Sequence, residues 1–255
     1  CAISPAMIKT ALLETAKVSF KGEQTEIKPE KRNSSTYKVV YGIAAKEMTE
    51  EITVQLFKDG KAVSEVYTDS VQDYAMRLLS SGSATAKIRT MVVDMLNYGT
   101  EAQNFFGYRT DDLANSSLSR TQKSYATASV TAVDKHTSGK NYVGTTLTLE
   151  DHILLNMIFK NINGNMTAKI TYVDHMGEKK SVNVKPVKHN ATYWKVTVDS
   201  LVLADARQLV TVTVYDGATA VASAADSVES YAARASSTLT DAIMKFATSA
   251  YNYFH

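Results

Sequence analysis

The chain has 255 residues, a formal charge of +2, 44% apolar residues and 21% charged ones. That balance belongs to a chain with packed cores. It offers no basic block for nucleic acid or a membrane surface, and no apolar run near the roughly 18 residues of a membrane span. A single cysteine excludes an internal disulfide and fits either the cytosol or a secreted bacterial protein that uses none; Cys1 reads either as a lipid-bearing residue or as a fragment boundary.

Ala16, Val18 and Phe20 alternate with Lys17, Ser19 and Lys21, the period of a half-buried strand. Gly22 marks a turn, Tyr37, Val39 and Tyr41 share one face of the next strand, and Ile52, Val54 and Leu56 form another apolar face before the Asp59-Gly60 turn. Two amphipathic helices follow, at about 69–79 and 84–106. Val71, Tyr74, Ala75, Leu78 and Leu79 make the first stripe, and Ile88, Met91, Val92, Met95, Leu96, Gly99, Ala102, Phe105 and Phe106 make the second. Ser70 with Asp73, and Ser83 with Ala86, mark their starts.

The polar stretch from Gly107 to Gly144 reads as a connector. Its later part, Ser124 to Val133, is either an edge strand or the completion of the first sheet pair. Gly144 to Leu149 and Ile153 to Phe159 add two strands, and Asn161 to Asn165 reads as a hairpin turn. After that the chain repeats itself. Thr167-Ala168-Lys169 copies Thr15-Ala16-Lys17, Trp194, Val196 and Val198 copy Tyr37, Val39 and Tyr41, and Val210, Val212 and Val214 copy Ile52, Val54 and Leu56. Asp226-Ser227-Val228 copies Asp69-Ser70-Val71, and Met244, Phe246, Ala250 and Phe254 copy Leu96, Tyr98, Ala102 and Phe106, in helices at about 227–235 and 239–254. The expected fold is α+β: two tandem repeats, each an immunoglobulin-like antiparallel β-sandwich followed by a helical hairpin, at 1–108 and 144–255, joined by a connector at 109–143. Phe105, Phe106, Tyr253 and Phe254 are expected in the core, with equivalent burial of Phe106 and Phe254.

Asn97-Tyr98-Gly99-Thr100-Glu101-Ala102-Gln103-Asn104-Phe105-Phe106-Gly107-Tyr108, then Thr110 to Asn115, resembles a repeat unit of large surface or secreted proteins of gut Firmicutes, the accessory modules of ruminococcal type. Tyr67 to Ala75 is similar to the helix start of that unit. The second copy departs from it at Phe246-Ala247-Thr248. The resemblance implies an extracellular or cell-surface setting among neighbouring modules, and carries over no functional residue.

No catalytic signature appears: no Gly-x-Ser-x-Gly, P-loop or dinucleotide fingerprint, and none of the five histidines has the i, i+4 partner of a zinc helix. No metal, cofactor or catalytic residue is expected, and the chain is not expected to be an enzyme. The binding candidates are aromatic, because the C–H face of a sugar packs on a ring. Trp194 shares parity with Val196 and Val198, which favours a core position. Tyr193 points the other way, while Tyr125 and Tyr142 lie between the copies, where a groove could form. Two functions follow. The first is a non-catalytic module binding a polysaccharide, with starch-type α-glucan foremost, for adhesion. The second is a structural spacer with no ligand of its own.

Overall fold

The alternating stretches of the first half become short antiparallel strands. The computed structural model describes residues 15–33, 36–149 and 152–255. Its first half holds β1 (Thr15–Phe20), β2 (Glu23–Ile27), β3 (Glu30–Lys31), β4 (Tyr37–Lys38), β5 (Ile52–Lys58), β6 (Lys61–Ala62) and β7 (Tyr67–Asp69), then α1 (Val71–Ser80) and α2 (Ala86–Phe106). β1 lies between β2 and β5, β5 also pairs with β6 and β7, and β3 and β4 make a separate hairpin. Ala16 stands opposite Leu56 and Val18 opposite Val54. These four, with Phe20 and Ile52, are buried, at roughly 1.5–3 kcal/mol for each large apolar side chain.

The second half runs through a short α3 (Arg120–Lys123), β8 (Thr137–Ser138), β9 (Tyr142–Leu149), β10 (Ile153–Phe159), β11 (Thr167–Val173), β12 (Lys179–Val184), β13 (Val187–Lys188), β14 (Trp194–Val198), β15 (Val210–Asp216) and β16 (Thr219–Asp226). It ends in α4 (Val228–Ala235) and α5 (Thr238–Phe254). One antiparallel sheet has the order β12-β11-β15-β16-β8, the other β13-β14-β10-β9. They share a core, with Leu155, Met157, Phe159, Val196 and Val198 from the second meeting Ile170, Val212, Val214 and Ala224 from the first. Val210 and Val212 point inward and are fully buried, as the alternation requires. The class is α+β, with antiparallel sheets and several helices.

Two local expectations fail. Residues 160–166 do not close a hairpin, since β10 and β11 belong to different sheets; buried Ile162 anchors this crossing in the core. Ser124 to Val133 forms no strand. It runs as a strap over the helices, where Tyr125, Ala126, Val130 and Ala132 pack. Its polar atoms bond to side chains instead of a sheet edge: Thr127 donates from N and Oγ1 to the buried Asp94 carboxylate at 3.0 and 2.6 Å. Further along, the Lys135 amide donates to Ser230 Oγ at 2.9 Å.

The helix starts follow capping chemistry. Ser70, Thr85, Ser227 and Ser237 each accept a hydrogen bond from the backbone amide three residues on. Thr85, rather than Ser83, therefore opens α2. Gly107 closes it in the left-handed conformation, with the Tyr108 amide bonded to the Gln103 carbonyl at 2.9 Å. Gly99 is a close-approach position, where a Cβ would stand 2.7 Å from Met48 Sδ and 3.2 Å from the Ala45 carbonyl oxygen. Fully buried Gln103 holds the turn after the helix: Nε2 donates to the Asp112 carbonyl at 2.9 Å, and Oε1 accepts from the Ala114 amide at 2.8 Å.

The two helical hairpins are not separate. α2 packs along α5, and one apolar core draws on all four long helices. The Tyr98 and Phe246 rings meet there at 6.1 Å. Matching contacts recur in each half. The Gln72 amide donates to the Met48 carbonyl and the Glu229 amide to the Ala206 carbonyl, both at 2.9 Å. Asp69 pairs with Arg77, and Asp226 with Arg234.

The aromatic residues at the helix ends are not core. Phe105, Phe106, Tyr253 and Phe254 are 65, 44, 43 and 57% exposed. The buried stripes stop at Gln103 and Ala250, and both helices overshoot the core by about a turn. Phe106 instead lies under the Lys46 ammonium, 5.0 Å from the ring centre, and Phe254 rests beside His175 at 5.4 Å.

Candidate functional site

A polar groove beside Tyr142 lies between the β8–β9 turn and α4. It encloses about 440 Å³ and is lined by His136, Ser138, Tyr142, Thr145, Tyr231 and Arg234, among others. Backbone bonds fix its floor. β8 pairs with β16 at Ser138 and Ala224, the Ser223 amide donates to the Lys140 carbonyl at 3.0 Å, and Asn141 Nδ2 donates to the Val221 carbonyl at 2.8 Å.

A chain of polar groups crosses this floor. Fully buried Asp226 accepts from the Ser227 amide at 2.8 Å, from Arg234 at 2.5 Å and from the Tyr142 hydroxyl at 3.4 Å. Arg234 also donates to Asp134 at 2.7 Å, and His136 Nδ1 lies 2.8 Å from Asp134. Tyr142 and Thr145 share a bond at 2.7 Å. Burial works to raise the Asp134 carboxyl, but the His136 amide and ring and the Arg234 guanidinium outweigh it and hold it below the ordinary range. Burial, with Asp226 nearby, raises the Tyr142 phenol.

Part of this network belongs to the fold. Asp69 plays the same part ahead of α1, accepting from the Ser70 amide at 2.9 Å, from Arg77 and from the Tyr67 hydroxyl at 2.9 Å. A buried aspartate at the end of a strand, bonded to the first helical turn and to an arginine eight residues on, ties strand to helix in both halves. Asp226 and Arg234 are therefore structural, and His136, Ser138, Tyr142, Thr145 and Tyr231 are the other polar and aromatic side chains that line the groove. The pattern Asp-x7-Arg, present at 69/77 and at 226/234, is the signal that would have drawn attention to Arg234 in the sequence.

The four aromatic candidates are not gathered together. Tyr142 and Trp194 flank buried Phe159 in adjacent strands, half-buried at the rim of the sheet core. The Trp194 ring lies over Gly164. Tyr193 is half-exposed in the β13–β14 turn, where its carbonyl accepts from the His189 amide at 2.9 Å. Tyr125 packs on the helical core, under the Arg89 guanidinium at 5.5 Å. Only Tyr142 lines the groove.

Among the described residues, no cluster of three His, Cys, Asp or Glu side chains could hold a metal ion, and no helix is long and apolar enough to cross a membrane. Comparison of the chain with protein-family models, with curated proteins and with solved structures finds no match, so its function has to be read from its own side chains.

Proposed function

We propose that the chain is a non-catalytic module of a bacterial surface or secreted protein, built from two related α+β units, and that it binds a neutral polysaccharide weakly in the groove beside α4. The duplicated strand order, the Asp–Arg ties and the paired amide contacts support two units of common design, the second an immunoglobulin-like sandwich. The groove itself carries the binding reading: two tyrosines, two hydroxyls and an imidazole line one open surface on a floor held by buried Asp226. Sugars need ring surface and hydroxyl partners in that combination. Binding by so few groups is expected at roughly micromolar to millimolar affinity, and, with no exposed charge pairing required, to change little with salt.

Titration calorimetry with maltoheptaose and with soluble β-glucans tests this. Tyr231→Ala and Ser138→Ala should weaken any binding without lowering the melting temperature. A folded protein that is silent toward every glycan ends the reading. The spacer reading then stands, favoured by two observations: Tyr125 and Trp194 pack against the cores, and the helices of both halves form one core.

A further inference from the structure

A sheet that ends in a free strand presents a row of unpaired amides and carbonyls, so free edges are usually kept short or covered. Here β3, β4, β6, β8 and β13 have two residues and β7 three, and β9 packs against α4 and β16. β2 and β12 are the exceptions. They have five and six residues, and among the described residues each has one strand neighbour. Residues 23–26, 179 and 181–183 are exposed. The two strands hold matching places, since β2 pairs with β1 as β12 pairs with β11. β12 ends its sheet on the side opposite β8, which lines the groove.

The two edges carry opposite charge. β2 holds Glu23 and Glu26 and no cation, and β12 holds Lys179 and Lys180 and no anion. Lys17 partly answers Glu26 at 3.6 Å, and Asp174 and Glu178 answer Lys180 at 3.0 and 2.5 Å. Among the described residues, Glu23 and Lys179 make no ion pair. Two β2 edges, or two β12 edges, would set like charges side by side, whereas β2 against β12 sets opposite ones. Thr25 and Glu23 stand beside Val18 and Phe20 on the core side of β1, as Val182 and Lys180 stand beside Ile170 and Tyr172 on the core side of β11. Antiparallel pairing with Lys179 opposite Glu26 keeps these two faces on one side of a continuous sheet. It also puts Lys180 diagonal to Glu23, within reach of a long side chain.

We propose that β2 of one copy of this chain pairs antiparallel with β12 of a second copy, so that copies associate edge to edge. The added strand supplies main-chain hydrogen bonds, and the glutamates and lysines choose the partner edge. The contact uses a different surface on each copy, so a pair still offers one free β2 and one free β12 for further copies. About five residues meet on each side, which makes the interface small and the affinity weak, at roughly 10 µM to 1 mM.

Sedimentation velocity of the full chain up to about 1 mM tests this. The sedimentation coefficient should rise with concentration, and salt at about 0.5 M should weaken the association roughly threefold. Lys179→Glu with Ser181→Glu leaves both edges net acidic, and Gln24→Lys with Glu26→Lys leaves both net basic. All four side chains are exposed, so both double variants should fold and melt like the parent. Each alone should self-associate about tenfold more weakly than the parent. An equimolar mixture of the two should restore association, because every acidic edge then finds a basic one. A parent that stays monomeric to about 1 mM overturns the proposal. Association that either double variant leaves unchanged also overturns it, since the contact then lies on another surface. A mixture of the two folded variants that fails to associate does the same.

Discussion

Gln103→Leu should be among the most damaging single changes in the first half. The side chain is fully buried, yet its amide answers three backbone groups. Oε1 accepts from the Ala114 amide at 2.8 Å, and Nε2 donates to the Asp112 carbonyl at 2.9 Å and, more weakly, to the Arg109 carbonyl at 3.4 Å. Leucine fills nearly the same volume, so no large cavity opens. The Ala114 amide and the Asp112 carbonyl are left without partners, at about 1–3 kcal/mol each. The added apolar burial offsets part of that loss, and the net is about 3 kcal/mol. For a chain of this size the melting temperature should fall by roughly 6–12 °C. Differential scanning calorimetry reads it directly. A variant melting within about 2 °C of the parent would refute the view that Gln103 organises the turn.

Phe106→Ala and Phe254→Ala should each cost less than about 1 kcal/mol, because both rings are substantially exposed; urea unfolding checks this, and a loss near 3 kcal/mol would restore them to the core. Burial alone would raise the Asp69 carboxyl, but Arg77, the Tyr67 hydroxyl and the Ser70 amide together hold it below its ordinary value. Its contribution is therefore full above about pH 4, the unfolded value, and is lost as pH falls through the lower folded value. Arg77→Met should flatten that acid loss in chemical denaturation series, and an unchanged acid limb would count against the pair. Tyr98 behaves in the opposite sense: burial holds its phenol near 12, so its contribution is present below about pH 10 and lost as pH rises toward 12. Tyr98→Phe should shrink the alkaline loss of stability, and identical alkaline curves would contradict the burial.

Much of the strand pattern is legible because alternation has only one physical reading when one face is buried. Val210, Val212 and Val214 could point inward or not, and they do. The hairpin turns at Lys21-Gly22 and Asp59-Gly60 are legible for the same reason: their residues adopt the left-handed conformation that a two-residue turn demands. The helices were visible as stripes, but a stripe says that something covers it, not what. Nothing in the spacing of Val92, Val93 and Leu96 indicates that the cover is α5 rather than the adjoining sheet. The strap from Ser124 to Val133 has no period at all, since its order comes from Asp94 and from the helices beneath it. The groove was half legible. Tyr142 stood out as an aromatic in a polar stretch, whereas His136 and Tyr231 gather only once β8 joins β16.

The shared helical core means that the two halves of the chain cannot be parted at the stretch that joins them. Val92, Val93 and Leu96 on α2 are covered in large part by a core that Leu239, Ile243 and Met244 on α5 complete. A cut in the connector would leave each fragment with an uncovered apolar stripe on a helix, the kind of patch that makes fragments self-associate or precipitate. Two such fragments expressed together have a ready alternative, which is to find each other and rebuild the whole. Heat should likewise find no weak joint between them, and the chain should melt in a single transition whose enthalpy is that of both halves together rather than of one.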